Sequence, residues 1–184
     1  MTDNRSLDIS VVVPVYNEQD SLETLHADIM RALTEKFTYE IIFIDDGSSD
    51  KSFEILFKIR EKDHNVRVIR FRKNFGQTAA IAAGFENAKG RIIVPLDADG
   101  QNDPADIPKL VEKLEQGYDI VSGWRRKRHD NVVTRTFPSR VANWIVARIT
   151  GVKLHDFGCT LKAYRWESIK DIRLYGEMHR FIPA

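Results

Sequence analysis

Arg91-Ile92-Ile93-Val94-Pro95-Leu96-Asp97-Ala98-Asp99-Gly100-Gln101 joins an apolar, β-branched run to two carboxylates one residue apart, and the segment Pro104 to Gln116 follows it. The run reads as a strand, and in the following segment Ile107, Leu110, Val111 and Leu114 recur at the spacing of one buried helix face. The unit is therefore strand, polar turn, helix. It repeats along the chain: Ile9–Val15 precedes Ser21–Lys36, whose stripe is Leu22, Leu25, Ile29 and Leu33; Glu40–Ile44 precedes Lys51–Lys62; Val66–Phe71 precedes Gln77–Lys89; and Asp119–Ser122 supplies a fifth strand. Such alternation predicts an α/β fold, a parallel sheet covered by helices on both faces.

In an open sheet of this kind ligands bind beyond the carboxyl ends of the strands. The residues at those ends are polar: Pro14-Val15-Tyr16-Asn17-Glu18, Asp45-Asp46-Gly47-Ser48-Ser49-Asp50, Arg72-Lys73-Asn74-Phe75-Gly76-Gln77 and Asp97-Ala98-Asp99. Four polar loops converge on one rim. Alternation along an extended backbone turns Asp97 and Asp99 to the same side. Two carboxylates with a nearby amide oxygen suit Mg²⁺ or Mn²⁺, which prefers oxygen ligands and completes its shell with substrate phosphates, and this points to a nucleotide diphosphate. An Asp at a strand end also caps the helix that follows, and on these residues alone both readings stand.

At 184 residues, 42% of them apolar, the chain fits one domain with a substantial core rather than two. The net charge of +1 gives no field that would gather nucleic acid. One local cluster is strongly basic, Trp124-Arg125-Arg126-Lys127-Arg128-His129 with Arg135 and Arg140 beyond it. An anionic ligand or a membrane surface is its natural partner, and a solvated surface run is the plain alternative. The basic stretch runs to Phe137, Pro138–Gly151 reads as a helix and Cys159–Tyr164 as a further strand; loops of that length are commonly lids or binding loops. Cys159 is the single cysteine, which excludes an intramolecular disulfide and a zinc-type cluster and fits a reducing compartment. No signal pattern is visible at the start, and no stretch approaches the ~20 apolar residues that span a bilayer, so the visible chain is expected to be soluble.

A dinucleotide-binding oxidoreductase needs a glycine-rich turn after the first strand so that the backbone can approach a pyrophosphate, and Pro14 to Glu18 contains no glycine. The phosphate-binding pattern G-x-x-x-x-G-K-[ST] is absent as well. A receiver-like phosphoacceptor domain leaves the basic loop unaccounted for. The nucleotide must then be held by side chains and a metal.

Six motifs in order, Pro14-Val15-Tyr16-Asn17-Glu18, Ile44-Asp45-Asp46-Gly47-Ser48, Arg72-Lys73-Asn74-Phe75-Gly76, Asp97-Ala98-Asp99-Gly100-Gln101, Ser122-Gly123-Trp124-Arg125 and Asp156 to Arg165, resemble glycosyltransferase family 2. Within it they are similar to the polyisoprenyl-phosphate glycosyltransferases, and Gly176 to Pro183 resembles the bacterial lipid-phosphate branch. The resemblance implies a GT-A fold, Rossmann-like, and an inverting, metal-dependent transfer of a hexose from UDP- or GDP-hexose to a polyprenyl phosphate. It implies that Pro14, Tyr16 and Glu18 line the nucleoside, that Asp46 accepts hydrogen bonds from base or ribose, and that Ile44, Asn74, Gly76 and Ala98 complete the nucleotide-sugar site. Asp97, Asp99 and Gln101 would hold Mg²⁺ or Mn²⁺. Arg125, with its planar fork of donors, would bind the acceptor phosphate, with Arg135, Lys162 and Arg180 as further candidates. Asp156 would orient the acceptor loop or a basic partner, and the catalytic set is Asp97, Asp99, Arg125 and Asp156.

The acceptor oxygen is already anionic at neutral pH, so the reaction needs positioning more than a strong base. Family members commonly continue into membrane helices after the His179 to Pro183 region, although a naturally short peripheral relative exists in the family. The expectation is a single GT-A catalytic domain, residues 1–184, ending before C-terminal membrane helices. The full-length protein is expected at the cytoplasmic face of the membrane, with a homo-oligomer left open. The alternatives are a soluble family 2 transferase that builds a polysaccharide or glycan, and a non-catalytic nucleotide-sugar-binding module.

Overall fold

The computed structural model describes residues 5–123, 161–172 and Ile182. In chain order they form β1 (Leu7–Val15), α1 (Leu22–Leu33), β2 (Tyr39–Asp45), α2 (Ser52–Lys62), β3 (Val66–Arg70), α3 (Gln77–Asn87), β4 (Gly90–Pro95), a 3₁₀ turn (Pro104–Asp106), α4 (Ile107–Glu115), β5 (Ile120–Ser122), β6 (Lys162–Arg165) and α5 (Trp166–Ile169). The strands make one sheet in the order β3-β2-β1-β4-β6-β5. The pairs among β1 to β4 are parallel, whereas β6 runs antiparallel to both β4 and β5. The sheet is thus mostly parallel, as the alternation of strands and helices predicts. The reversed strand wedged between β4 and β5 is not visible in that alternation, because a strand pattern carries no direction.

Every residue of β2 is buried, as befits a central strand covered on both faces. Side-chain alternation divides the core. Val11, Val13 and Phe43 meet Leu22, Ile29, Leu56, Ile107 and Leu114 from α1, α2 and α4, and the two sequence stripes on α1 and α4 are the buried faces of those helices. Val12, Ile42 and Ile44 meet Ala80, Ile81, Phe85, Tyr164 and Ile169 on the other face, which α3 and α5 cover. Helix α3 lies directly on the strands: a Cβ at Gly84 would sit 2.2 Å from Val12 Cγ1 and 3.0 Å from Ile44 Cδ1.

At the end of the sheet where these strands begin, the buried Glu40 accepts hydrogen bonds from Ser10 Oγ at 2.7 Å, the Lys89 backbone N–H at 2.6 Å and Arg67 Nη1 at 2.8 Å. A buried carboxylate is tolerable only when paired and hydrogen-bonded in this way. The network ties β1, β2 and β3 to the start of β4, and leaves the opposite end of the sheet for chemistry.

Candidate active site

Strands β1 and β2 end side by side, with Val15 in register with Asp45, and β4, whose last residue Pro95 pairs with Val12, ends toward the same edge. The loops that follow therefore emerge at one rim. Asn17 adopts a left-handed φ of 57°, a conformation in which Asn is several-fold enriched among non-glycine residues. Its N–H donates to Ser48 Oγ at 3.0 Å, and its Oδ1 accepts from the Ser49 N–H at 2.8 Å. Glu18 N–H donates to Ser52 Oγ at 2.9 Å and Gln19 N–H to Asp50 Oδ2 at 3.2 Å. Burial pushes Asp50 up, but the hydrogen bonds from Ser52 and Gln19 outweigh it and hold its carboxyl below the usual carboxylate range. The first two loops are laced into one wall.

Asp45 and Asp46 act differently although they are neighbours. Asp45 Oδ1 accepts from the Ser48 N–H at 3.0 Å and closes the Asp-Gly-Ser turn. Its Oδ2 is buried with no hydrogen-bond partner among the described residues and lies 3.4 Å from Arg70 Nε. Asp46 turns toward the third loop and accepts from the backbone N–H of Phe75 at 2.7 Å and of Gly76 at 2.9 Å. The third loop can come this close because residue 47 is glycine: a Cβ there would stand 2.6 Å from the Lys73 carbonyl carbon. The fourth loop joins through Gln77, whose Nε2 donates to Asp97 Oδ1 at 2.7 Å, and Asp99 Oδ1 accepts from the Gln101 N–H at 3.0 Å.

These loops enclose a cleft of about 330 Å³, within the size range of small-ligand sites. Of the residues expected at a nucleotide sugar, Pro14, Tyr16, Glu18, Asp46, Asn74, Gly76 and Ala98 line it, together with both Asp97 and Asp99. Val15 and Gln77 line it too; Gln77 closes the polar loop after β3, and its place in that loop is the signal that could have marked it. Ile44 requires a correction. It is fully buried beneath α3, because alternation along β2 points it into the sheet face that α3 covers, and it does not reach the cleft. Gln101 is also displaced: it lines a neighbouring groove of about 810 Å³ between α1 and the Pro104–Pro108 segment. Lys162 is buried in β6, in register with Ser122. Arg125, Arg135, Asp156 and Arg180 lie outside the described residues.

Among the described residues no group of three or more His, Cys, Asp or Glu side chains could hold a metal. Asp97 and Asp99 nonetheless offer hard oxygen donors on one wall of the cleft. Two carboxylates with the rest of the shell left to water and phosphate is the donor set that Mg²⁺-type sites use, so the residues fit a divalent cation shared with a diphosphate.

The family model described as Glycosyl transferase family 2 matches residues 10–173. A dodecaprenyl-phosphate galacturonate synthase of Rhizobium johnstonii is 45% identical over 183 residues, covering 98% of this chain and 54% of that protein. An undecaprenyl-phosphate 4-deoxy-4-formamido-L-arabinose transferase of Pseudomonas aeruginosa is 45% identical over 177 residues, covering 95% of this chain and 52% of that protein. The chain spans about half the length of the curated relatives it matches. Among solved structures, glucosyl-3-phosphoglycerate synthase from Mycobacterium tuberculosis in complex with Mn²⁺, UDP and phosphoglyceric acid superposes with a TM-score of 0.68 at 20% identity, over 91% of this chain and 58% of that one. That likeness establishes a shared fold.

Proposed function

The chain belongs to glycosyltransferase family 2, and on that footing we propose that it forms the donor site of an inverting, metal-dependent transferase. That enzyme moves a sugar from a nucleotide diphosphate to a polyprenyl phosphate. The observation that carries the reading is the single cleft in which Asp97 and Asp99, at the end of β4, face Pro14, Tyr16, Glu18 and Asp46 from the ends of β1 and β2. Such a cleft suits the two halves of a nucleotide sugar: the uncharged nucleoside would lie against the β1 and β2 loops, and Asp97 and Asp99 would hold a cation that offsets the charge of the diphosphate. Mg²⁺ or Mn²⁺ held there supplies Lewis-acid assistance to the departing nucleoside diphosphate.

The residues of the chain hold the donor and expose one face of the anomeric carbon. An anionic oxygen of the acceptor phosphate forms the new bond to that carbon, while the bond to the diphosphate breaks and its electron pair leaves with the nucleoside diphosphate. No proton has to move, so the site needs no general base. Attack from the side opposite the leaving group inverts the anomeric configuration. Arg125 is the residue assigned to the acceptor phosphate, with Arg135, Lys162 and Arg180 contributing charge and Asp156 positioning the acceptor loop. A place at the cytoplasmic face of the membrane is part of this reading; no helix among the described residues is long and apolar enough to cross a bilayer.

A donor-by-acceptor panel tests this. UDP- and GDP-linked hexoses are included and, because relatives are named for galacturonate and for 4-deoxy-4-formamido-L-arabinose, the corresponding nucleotide sugars as well. Each is incubated with Mn²⁺, with and without polyprenyl phosphate, in the chain extended to the length of its relatives. A lipid-linked sugar formed only with polyprenyl phosphate is the expected product. Transfer to a glycan acceptor instead would replace this reading with the polysaccharide alternative.

A further inference from the structure

Gln77 is the first residue of α3, and its amide donates to Asp97: Nε2 lies 2.7 Å from Asp97 Oδ1. An ionised carboxylate can only accept, so the amide must present its NH₂ group to Asp97 and its oxygen elsewhere. The residues immediately before Gln77 are clamped. Asp46 receives the N–H groups of Phe75 and Gly76, and the Lys73–Asn74 backbone rests against Gly47. Beyond Gln77, α3 is seated on β1 and β2 through Gly84. The amide is thus held from both sides.

We propose that Gln77 is a positioning residue for the divalent cation: it fixes the orientation of the Asp97 carboxylate and links it mechanically to Asp46 on the nucleoside side of the cleft. This rests on the proposed metal-dependent reading of the cleft. An amide suits the task better than the obvious cationic donors. Lys or Arg would make a stronger hydrogen bond to Asp97, yet would place a positive charge beside the cation and oppose its binding, whereas the amide orients the carboxylate without changing the charge of the site. The same geometry gives Asp46 a role beyond accepting from a base or ribose. Two of a carboxylate's roughly four lone-pair sites are used on the loop that leads into Gln77, so a nucleoside drawn onto Asp46 and a cation drawn onto Asp97 act on the two ends of one short segment.

The test counts Mn²⁺ bound to the chain by electron paramagnetic resonance of the free ion, without any turnover. Gln77→Met keeps the length and volume of the side chain and removes the donor, and Gln77→Lys keeps a donor and adds charge. Removal of an outer partner of a metal ligand typically costs about 10- to 100-fold in metal affinity. Both variants should therefore bind Mn²⁺ at least about 10-fold more weakly than the parent, Gln77→Lys the more so, with unchanged circular dichroism and cooperative melting. A purely structural role for Gln77 would leave Gln77→Met binding Mn²⁺ as the parent does, because only removal of the donor tests positioning, whereas the added charge of Gln77→Lys opposes the cation in either case. Asp97→Asn separates the levels. If it abolishes Mn²⁺ binding while Gln77→Met matches the parent, the positioning role is overturned and the metal reading survives; if Asp97→Asn itself binds as the parent does, both are overturned.

Discussion

Gly47→Ala and Gly100→Ala form a matched pair that isolates how firmly the third loop is packed against the second. Both glycines have nearly the same left-handed backbone, φ 71° and 72°. A side chain in that conformation costs about 1–2 kcal/mol, so this part of the penalty is common to both. They differ in surroundings. At Gly100 nothing lies within 4 Å of a Cβ, whereas at Gly47 a Cβ would stand 2.6 Å from the Lys73 carbonyl carbon and 2.8 Å from both Lys73 Cα and Asn74 N. Those separations are well inside the roughly 3.5–4.0 Å at which non-bonded atoms attract, and every atom concerned is backbone, which cannot swing aside as a side chain would. The third loop must retreat, and with it the Phe75 and Gly76 donors that Asp46 holds. Overpacking of this kind costs about 1–3 kcal/mol. For a domain of 150–250 residues each kcal/mol is worth about 2–4 °C, so Gly47→Ala should melt about 2–12 °C below Gly100→Ala. Differential scanning calorimetry of the parent and the two variants under one buffer measures it. Variants that melt within about 1 °C of each other would mean that the loop yields freely at Gly47, and the rigid rim on which the cleft is built would have to be abandoned.

Asp99 is exposed on the rim, so Asp99→Asn should shift stability by no more than about 0.5 kcal/mol while removing the Mn²⁺-stimulated part of nucleoside diphosphate affinity; calorimetric titration with and without the metal reads both arms. Arg125→Ala should impair use of polyprenyl phosphate at saturating donor more than it impairs donor binding without acceptor, and Arg125→Lys should restore only part of the rate, because a point charge lacks the two-bond fork; normal acceptor kinetics in Arg125→Ala would return this residue to the solvated surface. Far from the cleft, hydrogen bonds from Arg91 and then from Thr38 hold the Asp8 carboxyl below its usual range. A carboxyl whose folded pKa is depressed adds stability above its unfolded pKa of about 3.9 and loses it as pH falls through the folded value. The gap between the urea midpoints of the parent and Asp8→Asn should therefore be full at neutral pH and close in strong acid, and a gap that stays constant with pH would rule out the ionic origin.

The sequence alone determined the first five strands, the four helices between them and the rim, while the helix read over Pro138–Gly151 lies outside the described residues. Period-two and period-3.6 patterns are local: the stripes Leu22, Leu25, Ile29, Leu33 and Ile107, Leu110, Val111, Leu114 announce a buried face whatever it packs against. Polar loops after apolar strands must likewise gather at one end of a parallel sheet, which is why most residues expected at the nucleotide sugar do line one cleft. Tertiary structure decided what depends on direction and on partners distant in the chain. The reversal of β6 between β4 and β5 is a choice of pairing that strand propensity cannot express. Ile44 lies in β2 and Asp46 just past its end, both buried, yet only the seating of α3 on that sheet face packs the first away from the cleft while the turn after β2 aims the second at Phe75 and Gly76. Gln77 and Asp97 are 20 positions apart, and their contact at 2.7 Å exists because α3 begins where β4 ends. A carboxylate's role is set by which donors the fold brings to it, and that is a property of the packed chain.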